Sequence, residues 1–347
     1  MFGSTAVELP VEIGFVPCKG FSMMDFSSAI EPLRIANRIA GKELYRWHLA
    51  SQDGRAVRGA NGIPIGVNGD LKSIENVETV FVCTGIDVQS TDTSILLPWL
   101  RRMATTGMNI GATCTGAHVL AKAGLLDGHR CTIHWENLAA FTEVFPDIEV
   151  TTELFEIDRK RVTCSGGTAA IDLMLNMITT QHGYEIAAKV ADQFMHERIR
   201  DQRDQQRVAL PARIGVRHPK LLSAIKAMED NLEDPLGRQE LAELANLSTR
   251  QLERLFRKYL KRSPARYYLE LRLNKSRLLL LQTAMPVIDV ALACGFVSAS
   301  HFSKCYRDFY GKTPRQERAG SVGSASEMLD LADVGFEELD DSFDLGG

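Results

Sequence analysis

A cysteine stands in the middle of Gly111-Ala112-Thr113-Cys114-Thr115-Gly116-Ala117-His118. The apolar run before it, 108–112, reads as a strand, and the residues from 116 onward read as a helix. A thiol at such a corner lies over the unpaired N–H groups of the helix, whose partial positive charge favours a thiolate. That arrangement suits a nucleophile. It suits equally the gripping of a ligand carboxylate without any chemistry. Two further groups could bind. His134-Trp135-Glu136 sets an indole face beside a carboxylate, a pairing that fits a cationic amine or a quaternary ammonium, or a Trp packed under a sheet next to a surface Glu. Ser165-Gly166-Gly167 precedes an apolar helix and offers backbone N–H donors to an anion, or makes a plain strand-to-helix turn. Cys131 and His134 have a C-x2-H spacing with His129 nearby, but no second ligand pair accompanies them. No metal and no cofactor are therefore expected. His118 is expected to pack.

A second chemistry lies in the last third. Shifted by fifty residues, the chain overlays itself. Leu247-Ser248 falls on Val297-Ser298, and Ser263-Pro264 falls on Thr313-Pro314. Leu252, Leu255, Phe256 and Tyr259 fall on Phe302, Cys305, Tyr306 and Phe309. Each set has the i, i+3, i+4, i+7 spacing of a one-sided helix. The other face carries Arg250, Arg254 and Arg257 in the first copy, and Ser300, Lys304 and Arg307 in the second. A shorter helix and a tight break, with Ala245 or Gly295 at the close approach and Ser248 or Ser298 as N-cap, precede each set. This is the pattern of a helix-turn-helix unit, repeated. A connecting helix over 265–282 would span about 27 Å at 1.5 Å per residue, enough to set two reading helices against successive major grooves, about 34 Å apart.

These residues need elements to position them. Strands are expected at 11–16, 47–50, 79–83, 108–112, 149–157 and 161–164, with helices at 23–39, 95–105, from 116, and at 168–182. That alternation predicts an α/β domain with a parallel sheet under helices over 1–195, followed by a linker at 196–216 that begins as the end of a helix. An all-α domain of two helix-turn-helix units follows at 217–318, with an acidic tail at 319–347. Apolar content of 45% and charged content of 24% belong to a globular protein. The net charge of −4 conceals a segment, 216–318, with 19 basic and 11 acidic residues, against none and 8 in the tail. A basic segment in an acidic chain points to nucleic acid. Seven cysteines without a CxxC pair and no secretory or membrane-spanning pattern predict a reduced, cytoplasmic protein with no membrane partner.

The stretch Ala291 to Arg318, "ALACGFVSASHFSKCYRDFYGKTPRQER", resembles the signature of the AraC family of bacterial transcription regulators. The resemblance implies double-stranded promoter DNA and RNA polymerase as partners. It also implies base contacts from Arg250, Glu253 and Arg254 in the first copy and from Ala299, Ser300, His301 and Lys304 in the second. Arg is the best reader of guanine edges and Glu253 could accept from cytosine; His301 could instead touch phosphate or pack. "ATCTGAHVLAKAGLLDGHRCTIHW" (112–135), "MDF" (24–26) and "CSGGTAAIDLML" (164–175) resemble the class I glutamine-amidotransferase-like superfamily, which implies a flavodoxin-like three-layer sandwich. In the enzymes of that superfamily a carboxylate faces the elbow cysteine, and Asp25 matches it, so a hydratase-like set of Asp25, Cys114 and Thr115 is present. A protease-like set is in doubt, because Thr115 stands where those members carry His, and Cys83-Thr84-Gly85-Ile86 departs from their Pro-Gly-Gly turn. "FSMMDFSSAIEPLRIANRIAG", which holds Asp25 and Glu31, resembles regulators that sense arginine, carnitine, glycine betaine or related metabolites. The expectation is a homodimeric activator controlled by a small nitrogen-containing metabolite, bound by Asp25, Glu31, Cys114, Thr115, His134–Glu136 and Ser165–Gly167. The alternative is a cysteine-dependent hydratase or hydrolase.

Overall fold

The computed structural model describes residues 9–320. Its strands are β1 (Val11–Pro17), β2 (Tyr45–Ser51), β3 (Val57–Arg58), β4 (Pro64–Ile65), β5 (Gly69–Asp70), β6 (Thr79–Cys83), β7 (Asn109–Thr113), β8 (Cys131–Thr132), β9 (Val150–Thr151), β10 (Phe155–Asp158) and β11 (Arg161–Cys164). Seven of them form one sheet in the order β10-β11-β7-β6-β1-β2-β5. Every neighbouring pair is parallel except β10 with β11. All residues of β6 and β7 are buried, as strands covered on both faces must be. Pleating sends Phe15 and Phe81 to one side, against α1 (Met23–Ala40), α5 (Ala169–His182) and α6 (Tyr184–Gln193). It sends Val16, Val80 and Val82 to the other, against α2 (Leu96–Thr106) and α3 (Ala117–Lys122). The result is the parallel sheet under helices expected from the alternation, in the three-layer form that the superfamily resemblance implies. The short helix α4 (Leu138–Val144) and α6 are additions that the sequence reading did not contain.

The parallel strands end together. Pro17 is paired with Cys83, Cys83 with Thr113, and Thr113 with Cys164. The residues that follow each strand are thereby delivered to one edge of the sheet, the edge at which open α/β sheets hold ligands.

Beyond the sheet the chain is helical: α7 (Leu210–Ile214), α8 (Pro219–Asp230), α9 (Arg238–Leu244), α10 (Thr249–Leu260), α11 (Pro264–Gln282), α12 (Val287–Ala293), α13 (Ala299–Tyr310) and α14 (Pro314–Gly320). The pairs α9–α10 and α12–α13 are the two copies of the repeat. Ser248 caps α10 by accepting from Gln251 N–H, and Ser298 caps α13 by accepting from His301 N–H. Each unit has its own core, and α11 serves both. Tyr268 joins Leu221, Ile225, Leu241, Leu252 and Phe256; five residues on, Leu273 joins Val290, Phe296, Phe302 and Tyr306.

Three expectations change. The four-residue stripe is narrower than its spacing implied. Leu252 and Phe256 are fully buried, whereas Leu255 is half-buried and Tyr259 is 37% exposed against the ring of His218. The second copy repeats this, with Phe302 and Tyr306 buried and Cys305 and Phe309 half-buried. Only i and i+4 face the centre, because α8 or α11 covers one flank and solvent the other. Gly295 answers to a different neighbour from the one expected. With φ +74, it packs where a Cβ would fall 2.5 Å from Pro235 Cγ, in the loop between α8 and α9, so it holds the two units together. The segment 196–209 does not start as a helix. The preceding helix ends at Gln193, and the chain then runs pinned along the α/β domain: Leu154 N–H donates to Gln202 O, and Glu153 forms a bridge with Gln205. The acidic stretch 321–347 lies outside the described residues.

Phe256→Ala is expected to destabilise the helical domain by about 3–5 kcal/mol, as for loss of a buried ring, and Tyr259→Ala by no more than about 1 kcal/mol. Urea denaturation followed by helical circular dichroism measures both. Equal losses would contradict this assignment of the core.

Candidate functional site

Cys114 follows β7 directly and has φ +57, a left-handed conformation uncommon for a non-glycine residue, and here it is buried between neighbouring turns. The nearest of these turns follows the next strand. Gly166, after β11 and with φ +92, lies so close that a Cβ on it would be 2.8 Å from Cys114 Cα. His134 N–H donates to Cys114 O at 3.2 Å. The elbow is therefore gripped by the 165–167 turn on one side and by 134–136 on the other, so the structure brings Cys114, Gly166 and His134 together.

Asp25 joins them from α1. At the third position of a helix capped by Ser22, a carboxylate would ordinarily turn back to the cap's N–H. That N–H instead donates to Thr84 O at 3.2 Å, and Ser22 Oγ accepts from Asp25 N–H at 3.3 Å. The Asp25 carboxyl is left facing the interior. It is fully buried, and neither oxygen has a hydrogen-bond partner among the described residues; the same holds for the Thr113 hydroxyl. Burial raises its pKa to about 7, and the nearby Thr113 hydroxyl draws it back only part of the way.

The same burial, with the charge of Asp25 second, pushes the Cys114 thiol far above its ordinary range, and the N–H of Thr115 offsets little of this. Both effects, burial and the Asp25 charge, favour the protonated thiol over the thiolate. Thr115 is turned away from it: its hydroxyl bonds the Thr84 hydroxyl at 2.7 Å and donates to Gly85 O. This is the physical content of the altered turn at 84–86. His118 packs between Phe141 and Phe145, with Gln89 on Nε2, and burial lowers its pKa to about 4.

His134 is likewise kept neutral, with its pKa lowered to about 4 by burial. Glu136 lies near enough to contribute to the shift at Cys114, and its own pKa is raised by burial against the pull of Arg207. Trp135 is 37% exposed, with the Arg207 guanidinium 4.4 Å from its ring centre. Ser165 is buried and lines the turn beside Cys114. Glu31 does not belong to this group. Six residues after Asp25 on the same helix, it lies about 120° round the axis and pairs with Arg34 at 2.6 Å on the surface. The sequence reading did not single out Thr113 or Arg207. Thr113 could have been found as the last residue of its apolar run, but Arg207 carried no local signal.

On the helical domain, Arg250, Arg254 and Arg257 are exposed along α10, and Ser300, His301, Lys304 and Arg307 along α13, with Ala299 half-buried. Glu253 is held by Arg238 at 2.6 Å, and His301 Nε2 lies 3.3 Å from Cys305 Sγ. Two clefts, of about 290 and 250 Å³, lie away from the elbow. One is beside Glu75 and Lys160, the other between the helix-turn-helix units, lined by Pro235, Tyr268 and Cys305.

A carboxyl whose folded pKa is raised stabilises the fold fully below its unfolded pKa, near 4, and loses that contribution as pH climbs through the folded value near 7. Wild-type stability should fall across pH 4–7 by up to about 4 kcal/mol from this group, and Asp25→Asn should lack that part of the slope. Urea midpoints at pH 5 and pH 8 test it; equal pH dependence in both proteins would mean that Asp25 is ionised in the fold.

Comparison with known proteins agrees with this geometry. Residues 12–180 match the DJ-1/PfpI family, and residues 241–320 match a helix-turn-helix domain. The chain is 49% identical over 311 residues to the HTH-type transcriptional regulator GbdR of Pseudomonas aeruginosa, covering 90% of this chain and 85% of that one. It is 47% identical over 305 residues to the regulator CdhR (88% and 90%) and 40% identical over 318 residues to the regulator ArgR (91% and 95%), both of the same species. With a DJ-1/PfpI sandwich at one end, paired helix-turn-helix units at the other, and such relatives matched along nearly their whole length, the chain belongs to the AraC-type DNA-binding transcriptional regulators that carry an N-terminal DJ-1/PfpI domain.

Proposed function

We propose that this regulator activates transcription in response to a small nitrogen-containing metabolite, an amino acid or a quaternary amine, bound at the elbow of its N-terminal domain. The observation that carries this reading is Asp25: a fully buried carboxyl beside Cys114, with no charged partner in hydrogen-bond reach among the described residues and only the Thr113 hydroxyl nearby. A cationic ligand would supply the missing partner. Trp135 and Glu136 would face the same cation, and the N–H groups of the 165–167 turn would take a ligand carboxylate. The proposal includes a homodimer and contact with RNA polymerase at promoter DNA; both follow from the family resemblance. The residue-level DNA assignment is that the exposed side chains of α10 and α13 read bases, with Arg250 and Arg254 as principal readers, Glu253, Ala299, Ser300, His301 and Lys304 beside them, and Arg257 and Arg307 further along on the backbone.

The pairing of Asp25 with Cys114 favours a second reading, a cysteine-dependent hydratase. Nucleophilic attack needs a thiolate, however, and burial opposes one here. The regulator is therefore proposed to be without catalytic activity.

Cys114→Ser, which keeps shape and hydrogen bonding, should preserve effector-dependent reporter output, whereas Cys114→Trp should abolish the response and leave DNA binding intact. Reporter output with and without candidate effectors, together with mass spectrometry of the effector after long incubation, tests both readings. Effector conversion that disappears in Cys114→Ser along with the response would establish the enzyme reading instead.

Arg254→Ala should cost about 1–3 kcal/mol at a cognate site and relax preference at one base position. Gel retardation on cognate and random DNA across a salt series measures it. An equal loss on both DNAs would reassign Arg254 to phosphate.

A further inference from the structure

The segment between the two domains is attached to the α/β domain along its length. Asp172, fully buried in α5, accepts from His196 Nε2 at 2.8 Å, from Arg200 N–H at 2.7 Å and from Arg200 Nε at 2.9 Å. Gln202 donates to Glu153 and Glu156, each at 3.0 Å. Gln206 donates to Thr132 Oγ1, Ile133 O and Glu153 O at 3.0–3.1 Å. Arg207 follows, over Trp135. Immediately after it the strap leaves: Val208 is 66% exposed, and α7 packs into the helical domain, with Arg213 bonded to Glu229 of α8 at 3.0 Å. Arg207 is thus the last side chain of the strap set against the α/β domain before the chain enters the DNA-binding domain.

Its position has a second meaning. An indole face with a carboxylate beside it is a cation site, and Trp135 and Glu136 already have a cation. Burial raises the pKa of Glu136 and the charge of Arg207 draws it part of the way back; burial and the neighbouring Arg213 lower the pKa of Arg207, against the pull of Glu229 and Glu136. The residue is nevertheless solvent-exposed overall, so a dissolved cation can compete for its place. Behind this pair, α4 begins two residues after Glu136, and its Ala139 and Ala140 pack with Leu273 and Leu280 of α11. A change at 135–136 therefore has two routes to the reading helices, the strap and α4.

We propose that Arg207 is an internal occupant of the cation site formed by Trp135 and Glu136, and that an amine effector acts by displacing it and releasing the strap. The inference rests on the cation-binding reading of Trp135 and Glu136 given above. An effector changes transcription only if it favours one arrangement of the domains over the other, and competition with a tether supplies that difference directly: the held arrangement has Arg207 in place, and the released one has the effector there.

The test is calorimetric titration of the full-length protein with tetramethylammonium chloride, with sodium chloride of equal ionic strength as reference. Removing the competitor should tighten binding, so Arg207→Ala is expected to bind about tenfold more tightly than wild type. Arg207→Met should do the same, and it keeps the apolar stem on the indole should Ala disturb packing. Trp135→Ala should abolish binding in both backgrounds. In the wild type, tetramethylammonium should speed hydrogen–deuterium exchange across 203–209. Equal affinity in wild type and Arg207→Ala, with binding still lost in Trp135→Ala, would overturn the competition and leave the cation site standing. Unchanged exchange at 203–209 in a protein that binds would overturn release of the strap. Binding that survives Trp135→Ala, or none in any variant, would overturn both the competition and the cation site.

Discussion

Cys114 is held in a left-handed backbone conformation that L residues adopt infrequently. It can be held there because four parallel strands end in register beside it and Gly166 presses on its Cα. Everything else at that edge is arranged around the same constraint. The 134–136 segment is tied to its carbonyl, the 84–85 turn takes the Thr115 hydroxyl, and Ser22 spends its N–H on Thr84 and so frees the Asp25 carboxyl to face inward. The strain at one residue and the isolation of one carboxyl are two results of the same convergence.

That convergence also sets the balance of effects at the Cys114 thiol. Burial, and after it a neighbouring carboxyl, oppose the thiolate, while the Thr115 N–H favours it. Opening the site to water, or pairing Asp25 with a cation, would weaken the opposing terms. Fold alone does not carry function, so the chemistry of this edge has to be read from its residues.

The two halves of the chain are joined by more than a tether. The strap lies along the α/β domain through polar bonds, and α4 reaches the core of the second helix-turn-helix unit through two alanines. Alanine suits such a contact, because it lets helices approach closely and leaves the packing to partners such as Leu273. Within the helical domain α11 plays the corresponding part, giving Tyr268 to one core and Leu273 to the other.

What could be read from sequence was local. The fifty-residue repeat, the serine caps, the alternation of strand and helix, and the corner at Cys114 are all set by spacings of a few residues, and those spacings survive in any correct fold. The sequence therefore determined two helix-turn-helix units behind an α/β sandwich. Tertiary structure decided which members of a stripe are central: Leu252 and Phe256 are, while Leu255 and Tyr259 lie at the flank, since burial depends on what packs against a helix and not on its own period. It also moved Glu31 out of the site, through a rotation along α1 that spacing alone would have allowed but that the choice of inward face made certain. Above all it decided the pairings between distant segments: Ser22 with Thr84, Thr115 with Gly85, Gly295 with Pro235, Arg207 with Trp135. None of these has a signature within a window of sequence, because each exists only after chain segments tens of residues apart have been closed onto each other.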